Sequence, residues 1–164
     1  MSLECVRAWL AEHAPDLRLI EAHASTATVA DAAATLGVAP GQIAKTLTVR
    51  AGGETFLLVA RGDARLDNRK AKAAFGGRPR MLDAEKTLAL TGHPVGGVCP
   101  FGLATPLPVY CDVSLRAFDT VFPAAGSLNS SVEVTPARLG ELVAVGWVDV
   151  CRLVGHPNVE IVNT

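Results

Sequence analysis

Hydrophobic positions along the chain fall into short periodic segments. Leu3, Val6, Trp9 and Leu10 share one face of a helix that Ser2 is placed to cap. Residues 17–22 alternate well enough for a strand. Thr28 stands as the cap of a second helix, Val29–Leu36, closed by Gly37. Residues 46–50 and 55–60 are β-branched or apolar runs separated by Ala-Gly-Gly, the pattern of a hairpin. Asp67 opens a helix to Phe75, stopped by Gly76, and Asp83 opens another through Leu90, stopped by Gly92. Residues 107–112 and 132–134 read as strands. Thr135 followed by Pro136 is a strong helix start; that helix is expected to end near Gly146, before 147–150 closes the domain as a strand.

Helices interleaved with hairpin-like strands predict a mixed α/β (α+β) fold, a curled sheet covered by helices. No linker, repeat or low-complexity tract interrupts residues 1–164, so one domain is expected throughout.

With 49% hydrophobic residues, 19% charged and a formal net charge of −1, the composition is that of a globular domain with a real core. A balance so near zero argues against a protein that coats polyanions over its whole surface. No apolar run reaches the ~18–20 residues of a membrane span. The first residues lack the basic-then-apolar layout of a signal peptide, so a cytoplasmic location without a membrane partner is the expectation. Cys5, Cys99, Cys111 and Cys151 are scattered without Cys-x-x-Cys or Cys/His ligand spacing. No metal site is therefore expected, and Cys5, Cys111 and Cys151 read as small buried hydrophobes in a reducing compartment.

Candidate chemistry concentrates in a few places. Thr91-Gly-His-Pro-Val-Gly-Gly-Val-Cys-Pro-Phe-Gly102 holds four glycines and two prolines in twelve residues, which cannot continue a helix or an ordinary strand. Such a loop is rigid, lets backbone N–H groups approach a ligand, and equally serves as a plain turn between elements. It contains His93, a candidate substrate contact, and Cys99, a candidate nucleophile for which nearby sequence supplies no base. Lys45 lies among apolar and hydroxyl neighbours at the start of a strand. There its ammonium either snorkels to water or meets an anion. Arg61, Arg65, Arg69, Lys70, Lys72, Arg78 and Arg80 gather within twenty residues. That cluster is either a local seat for a phosphate backbone or a solvated helix face. A third small-residue segment, Phe122 to Ser131, contains Gly126-Ser127 and leaves room for a ligand. No Walker loop, Gly-x-Ser-x-Gly elbow, Ser-His-Asp order or Rossmann glycine pattern is present.

Several of these segments occur together and in order: Ala24-Ser-Thr-Ala-Thr-Val, Gly41-Gln-Ile-Ala-Lys-Thr-Leu, Arg65-Leu-Asp, Thr91-Gly, Gly96-Gly-Val-Cys-Pro-Phe-Gly, Thr105-Pro-Leu-Pro and Ala124-Ala-Gly. In this the chain resembles, over nearly its whole length, the YbaK/EbsC family, also called the prolyl-tRNA-synthetase-associated or ProX-type editing domain. The resemblance implies a mixed, barrel-like sheet flanked by helices and hydrolysis of wrongly charged aminoacyl-tRNA, with no cofactor, metal or covalent nucleophile. It assigns a required role to Lys45 and a pocket-shaping role to Gly96, Gly97, Val98, Cys99 and Pro100. Thr46, His93, Gly102, Ala125, Gly126 and Ser127 are then substrate contacts, and Arg61, Arg65, Arg69, Lys70 and Lys72 receive the tRNA backbone.

The chain departs from its relatives where Leu128 and Asn129 replace a basic residue and a glycine, and where His93 replaces an aromatic. The amino acid removed stays open among alanine, serine, threonine, cysteine and non-protein residues. On this resemblance the expected activity is that of a freestanding deacylase clearing mischarged tRNA(Pro), with an aminoacyl-tRNA synthetase as a possible partner. A non-catalytic tRNA- or synthetase-binding module and a Cys99-dependent hydrolase are the alternatives.

Overall fold

The computed structural model describes residues 2–153. The first half of the chain forms α1 (Ser2–His13), β1 (Arg18–Glu21), α2 (Val29–Leu36), β2 (Ile43–Ala51), β3 (Glu54–Arg61), β4 (Ala64–Leu66) and α3 (Asn68–Phe75). The second half forms β5 (Arg80–Met81), α4 (Ala84–Thr91), β6 (Val109–Asp112), β7 (Phe122–Pro123), β8 (Ser130–Glu133), α5 (Pro136–Val143), β9 (Gly146–Val148) and β10 (Cys151–Leu153). Single 3-10 turns lie at Pro40–Gln42 and Val113–Ala117.

Helix ends follow local chemistry. Thr28, Asp67, Asp83 and Thr135 each accept a backbone N–H from three residues on, at 3.0, 3.0, 2.8 and 3.2 Å. Gly37, Gly76 and Gly92 close their helices at φ 71°, 75° and 79°, left-handed values that suit glycine. Ser2 is an exception: it lies in the first turn of α1, and its hydroxyl bonds the imidazole of His93 instead of capping.

The hairpin organises the main sheet. β2 and β3 pair antiparallel from Ala44↔Arg61 to Ala51↔Glu54. Gly52 and Gly53 turn it at φ 60° and 82°. β6 adds in parallel to β3, and β9 in parallel to β6. The outer edge of β2 has two short neighbours at its two ends. β7 pairs in parallel at Ile43 and Ala44, and β5 antiparallel at Val49 and Arg50. Between them, among the described residues, β2 has no strand partner on that side.

β1 pairs with β8, and β4 with β10, as two separate two-stranded sheets. Among the described residues the strands therefore form a mixed sheet with two satellites, not the closed barrel that the resemblance suggests. The interrupted edge of β2 and the turn that carries β4 away toward β10 keep it open. The expected final strand, 147–150, is β9 only as far as Val148, because the Val150 amide turns to the buried Asp112 carboxylate at 2.8 Å, and β10 follows at Cys151. α5 ends at Val143, three residues before Gly146, which opens β9.

Strand alternation divides the core. Ala44, Leu57 and Val59 face α1 and α5, packing with Val6, Leu10, Phe101, Leu115, Val132 and Leu139. Val49, Phe56, Leu58 and Ala60 face the other way, toward Ala71 of α3 and Val150. Among the described residues no helix is long and apolar enough to cross a membrane, and no group of three or more His, Cys, Asp or Glu side chains is placed to hold a metal ion.

Candidate functional site

The break in the outer edge of β2 is where backbone hydrogen-bonding groups go unused. The Thr48 carbonyl accepts from the Leu82 amide at 3.1 Å, so this residue's peptide groups point outward. The two-residue period of the strand turns the N–H and C=O of Thr46 to the same side, into the gap between β7 and β5. A cavity of about 260 Å³ occupies that gap. Its floor is β2 from Ile43 to Thr48; Thr26 and Val29 close one flank, Leu82 and Thr87 another, and Phe122, Ala124 and Ser131 the back. Val95, Gly96 and Val98 bring the glycine-proline loop to its rim, where Val95 and Met81 are largely exposed.

Thr46 and Thr48 sit two residues apart on one face of β2. Their Oγ1 atoms are buried and, among the described residues, have no hydrogen-bond partner. Thr48 as a residue is 5% exposed. A buried hydroxyl left unpaired costs about 1–3 kcal/mol of desolvation. Both residues line the cavity, but the two hydroxyl oxygens themselves are sealed beneath its floor.

Lys45 is the only charged residue among those described in the lining. By alternation its side chain leaves β2 on the face opposite Thr46, and its Nζ donates to the Ala64 carbonyl at the start of β4. Burial lowers its pKa, opposed by the nearby Cys151 and Asp63. The cationic residue and the rim of the glycine-proline loop thus border one hollow.

The rest of the loop backs that rim. A Cβ on Gly97 would stand 2.8 Å from the Gly126 carbonyl carbon and the Ser127 nitrogen. This close approach of two backbones requires glycine. The Gly126 amide donates to the Gly97 carbonyl at 2.9 Å, and the Gly97 amide donates to Pro94 O at 2.9 Å. That second bond removes Gly97 from the amides expected to face substrate. Ser127 is bonded to Ser130 Oγ at 2.6 Å, and Gly102 packs on the backbone of Cys5 in α1. Gly97, Cys99, Pro100, Gly102, Ala125, Gly126 and Ser127 all lie behind the cavity wall and are absent from its lining.

His93 is not at the rim either; it is 0% exposed. Its Nε2 lies 2.7 Å from the Phe101 carbonyl, which can only accept, so this nitrogen carries the proton and Nδ1 accepts from the Ser2 hydroxyl at 2.5 Å. Burial lowers its pKa, partly offset by the Phe101 carbonyl. Cys99 Sγ lies 3.5 Å from the same Nε2, but that nitrogen carries its proton toward the Phe101 carbonyl and has no lone pair to act as a base. The pair is inert in this setting. Burial pushes the Cys99 thiol up to about 12, far from the thiolate a nucleophile needs.

None of the basic candidates lines the cavity. Arg61 is paired with Asp63 at 2.5 Å and stacked on Phe118, and Lys70 with Asp149 at 3.1 Å. Arg65, Arg69 and Lys72 are exposed and, among the described residues, make no salt bridge. Thr48 and Thr26, which sequence reasoning passed over, do line the hollow. The available signal was Thr46-x-Thr48, two hydroxyls on one face of a strand whose flanks are apolar.

Comparison with known proteins agrees with this architecture. The aminoacyl-tRNA editing domain family matches residues 23–142. The chain is 47% identical to the Bacillus subtilis (strain 168) protein YwhH over 154 residues, 93% of this chain and 98% of that one. It is 33% identical over 148 residues to a proline–tRNA ligase of Geobacter sp. (strain M21), covering 87% of this chain but a quarter, 25%, of the ligase. Among solved structures it superposes on a trans-editing enzyme described for prolyl tRNA synthetase with a TM-score of 0.84 and 34% identity, covering 92% and 97% of the two chains. A second, the hypothetical protein APE2540, gives 0.82 and 35% over 90% and 99%. On the strength of the match over 23–142, the chain belongs to the aminoacyl-tRNA editing domain family.

Proposed function

We propose that this protein hydrolyses the ester of mischarged tRNA in trans, with tRNA(Pro) carrying a small wrong amino acid as substrate. The observation that carries the reading is the cavity at the open edge of β2, walled mainly by small and apolar groups with the unpartnered strand edge at its floor. At about 260 Å³ it is smaller than the ~300–1,000 Å³ of drug-sized ligand sites. It suits an aminoacyl group and leaves the rest of the tRNA outside.

An aminoacyl ester is already activated. Its hydrolysis needs a positioned water and donors aimed at the developing oxyanion, and it proceeds without a metal or a covalent nucleophile. In this reading the Thr46 carbonyl at the open edge accepts from the α-ammonium, and the amides of Gly96 and Val98 supply oxyanion donors in place of Gly97. Lys45 holds the terminal phosphate or ribose end as a point charge. The exposed apolar side chains of Val95 and Met81 give the terminal base a surface to lie on. Arg65, Arg69 and Lys72, unpaired among the described residues, receive acceptor-strand phosphates, which makes binding weaken with salt.

The test is release of amino acid from a panel of mischarged tRNAs by the intact protein, Lys45→Ala and Cys99→Ala. Expected are turnover by the intact protein, a loss of about 100-fold or more in kcat/KM for Lys45→Ala, and near-unchanged turnover for Cys99→Ala. Binding of tRNA without any release would leave a docking module. Loss of activity in a folded Cys99→Ala protein would restore the thiol mechanism.

A further inference from the structure

We infer that Arg61 and Asp63 are positioning residues for Lys45: their ion pair pins the turn after β3, so that the Ala64 carbonyl holds the Lys45 ammonium at the edge of the cavity. The inference rests on the deacylase reading, which gives Lys45 its role, and adds what keeps that side chain in place.

The hairpin sets the starting point. Ala44 pairs with Arg61 and Lys45 with Ala60, so the turn Arg61-Gly-Asp-Ala64 leaves β3 beside the residue it serves. Arg61 donates to both oxygens of the Asp63 carboxylate, from Nε to Oδ1 at 2.5 Å and from Nη2 to Oδ2 at 3.1 Å. Two parallel bonds fix direction as well as distance. The guanidinium is itself held 4.9 Å from the centre of the Phe118 ring, and the Arg61 amide donates to the Ser114 hydroxyl at 3.3 Å. Two glycines make room for this packing. A Cβ on Gly41 would stand 2.6 Å from Phe118 and 3.0 Å from Arg61 Nε, and one on Gly62 would stand 2.9 Å from the Ile43 carbonyl oxygen. The turn is thereby pressed onto the start of β2, and Ala64 opens β4 with its carbonyl on Lys45. Arg61, expected to receive tRNA backbone, thus spends its fork inside the protein.

Lys45 needs such a guide, because its ammonium ends a flexible four-carbon stem. One of its three N–H donors goes to Ala64, and two stay available for a phosphate or ribose oxygen. The groups acting on its charge come from the turn, β4 and β10. Burial lowers its pKa and Arg65 adds to this, while Cys151 and Asp63 oppose it. Burial pushes the Cys151 thiol up to about 12, so that group stays neutral over most of the range. Asp63 is then the negative charge that faces the amine.

The test compares the intact protein with Asp63→Asn, which removes the charge, and Arg61→Gln, which removes the fork. On the mischarged tRNA that the intact protein hydrolyses fastest, kcat/KM should fall about tenfold or more in both variants. In a Lys45→Met background, Asp63→Asn should change the residual rate by less than about twofold. Turnover by either single variant within about twofold of the parent overturns the inference. So does an equal loss in the Lys45→Met background, which would mark a merely structural pair.

Titration of Lys45 gives a readout apart from turnover. The chain has four lysines, Lys45, Lys70, Lys72 and Lys86, and isotopic labelling lets nuclear magnetic resonance follow each one. Lys45 should titrate at lower pH in Asp63→Asn than in the parent, with the other three unmoved. If no tRNA is hydrolysed, the deacylase reading fails separately and this titration decides the inference. A lower value for Lys45 alone sustains it. The same value in both proteins, or a shift shared by all the lysines, ends it.

Discussion

Two groups of buried polar atoms lie close together in this fold and are treated in opposite ways. Around His93 every polar atom finds a partner: the Ser2 hydroxyl on Nδ1, the Phe101 carbonyl on Nε2, and the Thr91 hydroxyl on the His93 backbone amide at 3.0 Å. At the floor of the cavity the hydroxyls of Thr46 and Thr48 find none among the described residues. A closed network rigidifies and specifies a structure. An open one costs stability. The first group is the scaffold of the glycine-proline loop, and the second lies sealed beneath the cavity floor without a partner among the described residues. A search for chemistry by residue type alone picks out His93 and Cys99, which the fold uses as struts.

The sharpest way to break the comparison is to open the closed network. His93→Ala removes a buried ring that ties α1 to the loop, and strands the Phe101 carbonyl and the Ser2 hydroxyl. The loss expected in chemical denaturation is about 3 kcal/mol. Acid should act on the same group. Burial sets the folded pKa of His93 below its unfolded value near ~6.5, so the unfolded chain binds more protons as pH falls. Its contribution to stability is complete above that unfolded value and is lost as pH drops through the folded one. The intact protein should therefore lose more stability between pH 7.5 and pH 5 than His93→Ala does, as denaturation midpoints would show. Parallel pH profiles, or a variant as stable as the parent, would mean that the network does not carry the loop.

A smaller effect is expected where the loop meets its backing. At Gly97 an added methyl meets the backbone of Gly126 and Ser127 at 2.8 Å, and backbone cannot rotate aside. Gly97→Ala should cost about 2 kcal/mol, seen as a lower denaturation midpoint at constant m-value. A midpoint equal to the parent's would show that the two loops separate easily, which would remove the rigid rim from the mechanism.

The two groups also differ in how far the sequence announces them. The Thr28, Asp67, Asp83 and Thr135 caps, the left-handed stops at Gly37, Gly76 and Gly92, and the Gly52-Gly53 turn were all visible, because each depends on neighbours within a few residues. The short strands β4, β5, β7 and β10 were not. They are two or three residues long, and pairing with distant chain defines them, with no periodicity of their own. The break in the edge of β2 follows from where β5 and β7 happen to stop, so the cavity could not be located without the fold. His93 shows the same limit from the other side. Its partners Ser2 and Phe101 are 91 and 8 residues away, and nothing in Gly-His-Pro told a buried strut from a rim contact. Lys45 and the loop that holds Gly96 stood out from their neighbours in sequence, resemblance to a family gave them roles, and both line a common hollow.

The gentlest perturbation tests the open group. Thr48→Val keeps the volume and branching of the side chain, suits the strand, and replaces a buried hydroxyl by a methyl. At a satisfied site such a change removes a hydrogen bond and costs about 1 kcal/mol or more. Here the hydroxyl has nothing to lose among the described residues, and the apolar Ala44, Ile43 and Val98 share the same hollow. The variant should match the parent within about 0.5 kcal/mol, or exceed it by up to ~1 kcal/mol. Guanidinium titrations of the two proteins, run without tRNA, measure the difference directly. A loss greater than about 1.5 kcal/mol would show that the free protein already satisfies this hydroxyl, most simply through a tightly held water. The two networks would then be alike, and the contrast between the closed group and the open one would disappear.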